Sequence, residues 1–140
     1  DGNYVHEDSC VEFFMQREVG DAYINFEFNA AGVCYAAHHA SPAESVLLSP
    51  EEFASIERWG TLLGQHGLEE TGRKSWELAV AIPWTTMGYQ AGVLPRSLRA
   101  NLYKCGDKTA HPHFVSWSPI VEAQPAFHRP LFFGELTLLP

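Results

Sequence analysis

The chain has 140 residues, 46% of them hydrophobic and 13% aromatic, with a formal net charge of −8. That is the size of one domain with a real core, and the composition excludes a disordered chain. The acidic balance argues against nucleic acid or an anionic membrane surface as partner, and no apolar run approaches the ~20 residues of a membrane span.

No signal peptide is recognisable, and the chain opens on the turn-like Asp1-Gly2-Asn3-Tyr4, so targeting information is expected upstream. From Glu7 to Phe14 the sequence alternates. Val11, Phe13 and Met15 share one face; Asp8, Cys10, Glu12 and Phe14 share the other. The second face is unusual in carrying two carboxylates beside a cysteine and a phenylalanine. Acids held at fixed spacing on a rigid strand can build a polar site, although pairing with arginine or backbone explains them equally well.

Gly20-Asp21 marks a turn, and residues 22–29 alternate again, with Tyr23, Asn25, Glu27 and Asn29 on one face and Ile24, Phe26 and Phe28 on the other. The spacing predicts a hairpin that places Glu12 and Glu27 on one sheet face. A third strand is expected from Val33 to His38. Residues 40–54 read as loop with one short helical turn, because Ser49-Pro50-Glu51-Glu52 supplies an N-cap, Pro at N1 and acids in the first turn.

Ser55–Leu63 is expected to be a strand, Gln65–Lys74 a hairpin loop, and Ser75–Ile82 a strand with Trp76, Leu78, Val80 and Ile82 inward. Trp84–Gly88 reads as one helical turn. Further strands are expected at Leu98–Cys105, Phe114–Ser118 and Gly134–Leu139, with a Pro-containing loop between the last two. Many short strands without a βαβ rhythm predict an all-β, antiparallel β-sandwich, immunoglobulin- or jelly-roll-like, with one or two short helical turns in loops. Trp76 and Trp117 are expected in the core, and Trp84 packed at a strand end.

Chemistry-bearing residues beyond the acids are few. The three cysteines, Cys10, Cys34 and Cys105, form no CxxC pair and suit buried thiols, with one disulfide as the alternative. His38 and His39 point to opposite faces. His111-x-His113, with His128, is a weak metal candidate in an exposed loop. Haem ligation would need Met15 or Met87, the only methionines. Calcium would need clustered oxygens, for which Asp1, Glu7, Asp8 and Asp21 are candidates without Ca-loop spacing.

Six stretches in order carry a resemblance: Asp8-Ser9-Cys10-Val11-Glu12-Phe13-Phe14; Tyr23-x-x-Phe26-Glu27-Phe28-Asn29-x-x-Gly32; Trp76-Glu77-x-x-Val80-x-Ile82-Pro83; Asn101-x-Tyr103; Ser116-Trp117-Ser118; and Phe127-His128-Arg129-Pro130-x-x-Phe133-Gly134. Together they resemble carbohydrate-binding module family 9, most closely the family-9-like proteins of gut Bacteroidetes. The resemblance implies one β-sandwich over residues 1–140 that holds glycan or oligosaccharide ends between two aromatic rings, without catalysis, in polysaccharide breakdown outside the cytoplasm. It implies structural calcium in some members.

Residue by residue, it points to Tyr4 and Phe127 as stacking rings and to Glu12 as the sugar-binding glutamate. Asn101 and Gln124 would be mixed donors and acceptors, and Arg129 a charged donor or a salt-bridge partner of Glu12 or Glu27. The family's tryptophan before the acidic strand is absent, and Glu27 stands where the family has arginine. The family's strands before the acidic strand are missing too. These departures keep open a sandwich scaffold that has lost sugar binding, and a glycoside hydrolase part using Glu12 and Glu27 is a third possibility.

Overall fold

Period-two alternation is what the strands obey. In the computed structural model, which describes residues 4–17, 22–65 and 75–139, β1 (Cys10–Gln16) and β2 (Tyr23–Asn29) form the centre of a seven-stranded sheet. β3 (Cys34–Ser41) and β4 (Glu44–Leu47) extend it on one side and β7 (Ser97–Cys105) on the other. All pairings are antiparallel. The far edge of β7 is shared: β9 (Gly134–Thr137) pairs with Ser97–Ala100 and β8 (Phe114–Ser116) with Tyr103–Cys105. A separate two-stranded sheet is made by β5 (Glu57–Gly60) and β6 (Leu78–Ala81).

One face of the large sheet is apolar. Met15, Ile24, Phe26, Phe28, Ala36 and Ala100 are buried there. Leu78 and Val80 of the small sheet, Ile82, Trp84 and Met87 of the loop after it, and Phe53 of the short helix α1 (Pro50–Ser55) close over them. The result is an all-β sandwich whose second layer is two strands and loops. Leu, Val and Phe burial of this kind contributes about 1.5–3 kcal/mol per side chain. The α1 cap is as expected: Ser49 Oγ accepts from Glu52 N at 3.2 Å and Glu52 Oε2 accepts from Ser49 N at 2.7 Å. The turn at 84–88 closes with Met87 N donating to Pro83 O and Gly88 N to Thr85 O.

Four expectations change. Residues 40–54 contain a strand, β4, whose four residues are all exposed, so no buried face imposed a readable pattern. Between Ser55 and Leu63 the strand is only β5, because α1 occupies Ser55. Trp117 is 50% exposed and rests against Gly134, where a Cβ would meet its ring at 3.0 Å. Trp76 is partly buried and outside the main core; its Nε1 donates to Ser9 Oγ at 2.9 Å. The expected loop at 65–74 lies almost wholly outside the described residues.

Candidate functional site

The other face of the large sheet is polar and yet buried. Register sets it: Glu12 lies directly opposite Glu27 on β2 and opposite Tyr103 on β7, while Glu27 lies opposite Tyr35 on β3. One row of side chains, Tyr35–Glu27–Glu12–Tyr103, therefore crosses four strands. A row further along, Cys10 faces Cys105. On the opposite side of the acidic row, Asn25, Phe14 and Asn101 are aligned.

Two segments cover this face. The first is a 3-10 turn at Val5–Glu7, anchored by buried Val5 and by Asp107 N and Lys108 N donating to His6 O and Glu7 O at 3.0 and 2.9 Å. Lys108 Nζ adds an ion pair with Glu7 Oε1 at 2.6 Å. The second is the loop through Phe127 and His128. Phe127 stacks on Tyr103 with centroids 4.1 Å apart and planes 8° apart, and Tyr103 Oη donates to Phe127 O at 3.1 Å. The Tyr23 hydroxyl hydrogen-bonds His128 Nδ1 at 2.6 Å. Burial lowers the His128 pKa to about 4, so its ring is neutral at physiological pH.

Between the two segments and the sheet lies a cavity of about 580 Å³, floored by Glu12, Glu27, Tyr35 and Cys105 and rimmed by Tyr4 and Phe127. That volume suits a small ligand. Tyr4 is 67% exposed and holds φ 68°, the left-handed region that a tyrosine enters only at a cost. The strained backbone presents its ring at the rim.

The floor is electrostatically unusual. Glu12 and Glu27 are only 5% and 6% exposed. Burial first and then the Glu27 charge hold the Glu12 carboxyl far above the usual carboxylate range, and Cys105 Sγ lies 3.0 Å from its Oε1. Burial also pushes Glu27 up, to about 7, although Asn25 Nδ2 donates to its Oε1 at 2.8 Å and favours the anion. His6 Nδ1 lies 3.7 Å from Glu27 Oε2. The pair thus retains a proton at neutral pH, and offers a donor and several acceptors from one patch. Alternation alone does not reveal a water-poor site able to raise a carboxyl pKa, because the covering segments lie far apart in the chain.

Of the residues expected at a site, Tyr4, Glu12, Glu27, Phe127 and Arg129 line this cavity. Arg129 is not paired with either floor acid: its Nε donates to Glu122 Oε1 at 3.1 Å. Gln124 lines a neighbouring hollow of about 260 Å³ that shares Phe127. Asn101 is elsewhere. Fully buried, it donates through Nδ2 to Ser118 O at 2.9 Å and accepts from Ser118 N at 2.8 Å and Leu102 N at 3.0 Å. Its amide fastens the Ser118 loop to β7, and the residue does not line the cavity. His6, Tyr35, Cys105 and His128 also line the cavity, and the sequence points to none of them as a sugar contact. Tyr35 was accessible from the alternation of β3, whereas the others depend on long-range register and loop paths.

The metal readings fare differently. His113 Nε2 is hydrogen-bonded to Lys104 Nζ at 2.7 Å, and His128 belongs to the cluster around Tyr23, so the three histidines do not converge. Met15 and Met87 both sit in the apolar core, away from any haem-sized opening on the polar face. For calcium, Asp1 and Asp21 lie outside the described residues. Glu7 is held by Lys108, Asp8 accepts from Ser9 N at 2.6 Å, and neither joins a group of three ligand-bearing side chains among the described residues. Among the described residues, Glu7 and Asp8 alone do not bring together the clustered oxygens that calcium needs.

Residues 1–138 match the family described as "Carbohydrate-binding family 9". The chain belongs to that family. A similar fold occurs in the crystal structure described as "a putative carbohydrate-binding protein from Bacteroides uniformis ATCC 8492", solved at 2.70 Å. The two share 42% identity with a TM-score of 0.91 over 98% of this chain. The present family-9 chain spans 64% of the length of that protein. No curated protein matches the chain.

Proposed function

We propose that the cavity binds the end of a glycan or oligosaccharide and does not cleave it. The observation that carries this reading is the Glu12–Glu27 pair on the cavity floor beneath two rim aromatics. Sugars need both features: apolar ring faces stack on aromatics, and hydroxyls, each donor and acceptor, need convergent partners of both kinds. A carboxyl pair sharing protons supplies both kinds. Family membership supports the same reading. Polysaccharides do not cross membranes, so a module of this kind would serve their breakdown outside the cytoplasm. Calorimetric titration with a panel of mono- and oligosaccharides tests it. Saturable binding in the range of about 10 μM to 1 mM is expected for a shallow site. A folded protein that binds no glycan would contradict it and favour an interaction scaffold.

One observation favours hydrolysis as a second reading: two acids with raised, unequal pKa values. A glycosidase, however, places its carboxyls on either side of the scissile bond. Glu12 and Glu27 are cross-strand neighbours on one floor and meet a ligand from the same side. Release of reducing ends that stops in Glu12→Gln would reverse this preference.

A further inference from the structure

Beside the acid pair lie two thiols that sugar binding does not use, and they share Glu12 with it. Cys10 and Cys105 are directly opposite on β1 and β7, so both thiols leave the same face of the sheet. Glu12 is two residues beyond Cys10 and shares that face. A ligand atom from each of Cys10, Cys105 and Glu12 lies within 4.8 Å of the other two, and all three residues are buried. Cys105 Sγ is 3.0 Å from Glu12 Oε1. Cys105 comes from a strand distant in the chain and meets the Cys10–Glu12 pair of β1, and no disulfide joins the thiols.

We propose that Cys10, Cys105 and Glu12 form a binding site for a thiophilic divalent cation, with zinc the best fit. Two thiolates and one carboxylate are a donor set for zinc. Calcium and magnesium require all-oxygen shells of six or more ligands. Around a tetrahedral zinc, bond lengths near 2.3 Å to sulfur and 2.0 Å to oxygen place the ligand atoms about 3.5 Å apart. The Cys105–Glu12 contact at 3.0 Å reaches that spacing by a shift of about half an ångström, and the two pairs made by Cys10 already lie within 4.8 Å. The backbone is already in place, because rigid paired strands set both cysteines. Glu12 and Cys105 also line the cavity, so the fourth coordination position opens towards it. Binding exchanges the two thiol protons and the Glu12 proton for the ion, and three protons leave to solvent.

Cadmium reports such a site through its thiolate charge-transfer absorption. Reduced, chelator-stripped protein titrated with cadmium should develop this band up to one equivalent, and zinc should displace it. Cys10→Ser and Cys105→Ser should each abolish stoichiometric binding. Cys34→Ser should leave it intact, because Cys34 lies in the apolar core on the opposite face of the sheet. Absence of the band, or its persistence in both Cys10→Ser and Cys105→Ser, would overturn the proposal. X-ray absorption at the zinc edge of the unmutated protein decides independently of whether the variants fold. Two sulfur neighbours at about 2.3 Å are expected; a shell of only nitrogen and oxygen would overturn the assignment.

Discussion

Glu12 and Glu27 face each other across β1 and β2, two buried carboxyls on adjacent strands, with the half-exposed ring of His6 3.7 Å from Glu27 Oε2. Like charges in this position are destabilising, so the pair lowers its energy by keeping protons. The site therefore stores free energy that folding must supply and that a ligand's hydroxyls can use.

That arrangement fixes the pH dependence of stability. Glu12 and Glu27 bind protons more tightly folded than unfolded, so the folded state loses its advantage as pH rises from the unfolded carboxylate range towards their raised values. Below about pH 4.5 both states are protonated and no penalty remains. In chelator-treated protein the melting temperature should fall steadily between pH 5 and pH 9. Glu12→Gln, which mimics the protonated acid and can still accept from Cys105, should flatten that slope and raise the melting temperature at pH 8. An unchanged slope would show that Glu12 is ionised in the native state.

Asn101 should matter for stability and little for ligand. Asn101→Ala leaves Ser118 N and O without their partner and removes a buried amide, at a cost of about 2–3 kcal/mol. For a chain of this size that is a drop of roughly 4–12 °C in melting temperature. Glycan affinity measured well below the transition should stay within about twofold, since the residue does not line the cavity. A tenfold loss of affinity without a loss of stability would give Asn101 a direct role.

Tyr4 and Phe127 separate in the opposite way. Tyr4→Ala should weaken glycan binding by about tenfold, the value of one stacking face, without lowering stability. Tyr4→Gly should raise stability by roughly 1 kcal/mol, because glycine adopts φ 68° without strain. Phe127→Ala should lose both affinity and stability, since its ring also stacks on Tyr103. Melting curves and calorimetry on the three variants check each outcome.

Much of the sheet was legible because burial on one face writes itself as period two. The faces of β1 and β2, the Glu12–Glu27 juxtaposition and the α1 cap could all be read from residues close in sequence. β4 could not, since a strand exposed on both faces has no pattern to show. The half-exposure of Trp117 was hidden because a strand of three residues, β8, edges the sheet there and ends before it. The site was half legible. Its floor acids followed from alternation. Their burial did not, because it depends on the turn at Val5–Glu7 and the loop at Phe127 meeting over the sheet. Asn101 looked like a sugar donor from its polar type and strand position. Only the path of the distant Ser118 loop shows that its amide is engaged with Ser118 rather than turned to the cavity.

The most direct test of the cavity as a glycan site is a two-dimensional NMR titration of labelled protein with an oligosaccharide found to bind. Shift changes should be concentrated at Tyr4, His6, Glu12, Glu27 and Phe127, with the core-facing Leu78 and Val80 of β6 unmoved. Saturable changes centred instead on the exposed Trp59 or Trp117, with the Glu12 and Glu27 signals unchanged, would contradict it.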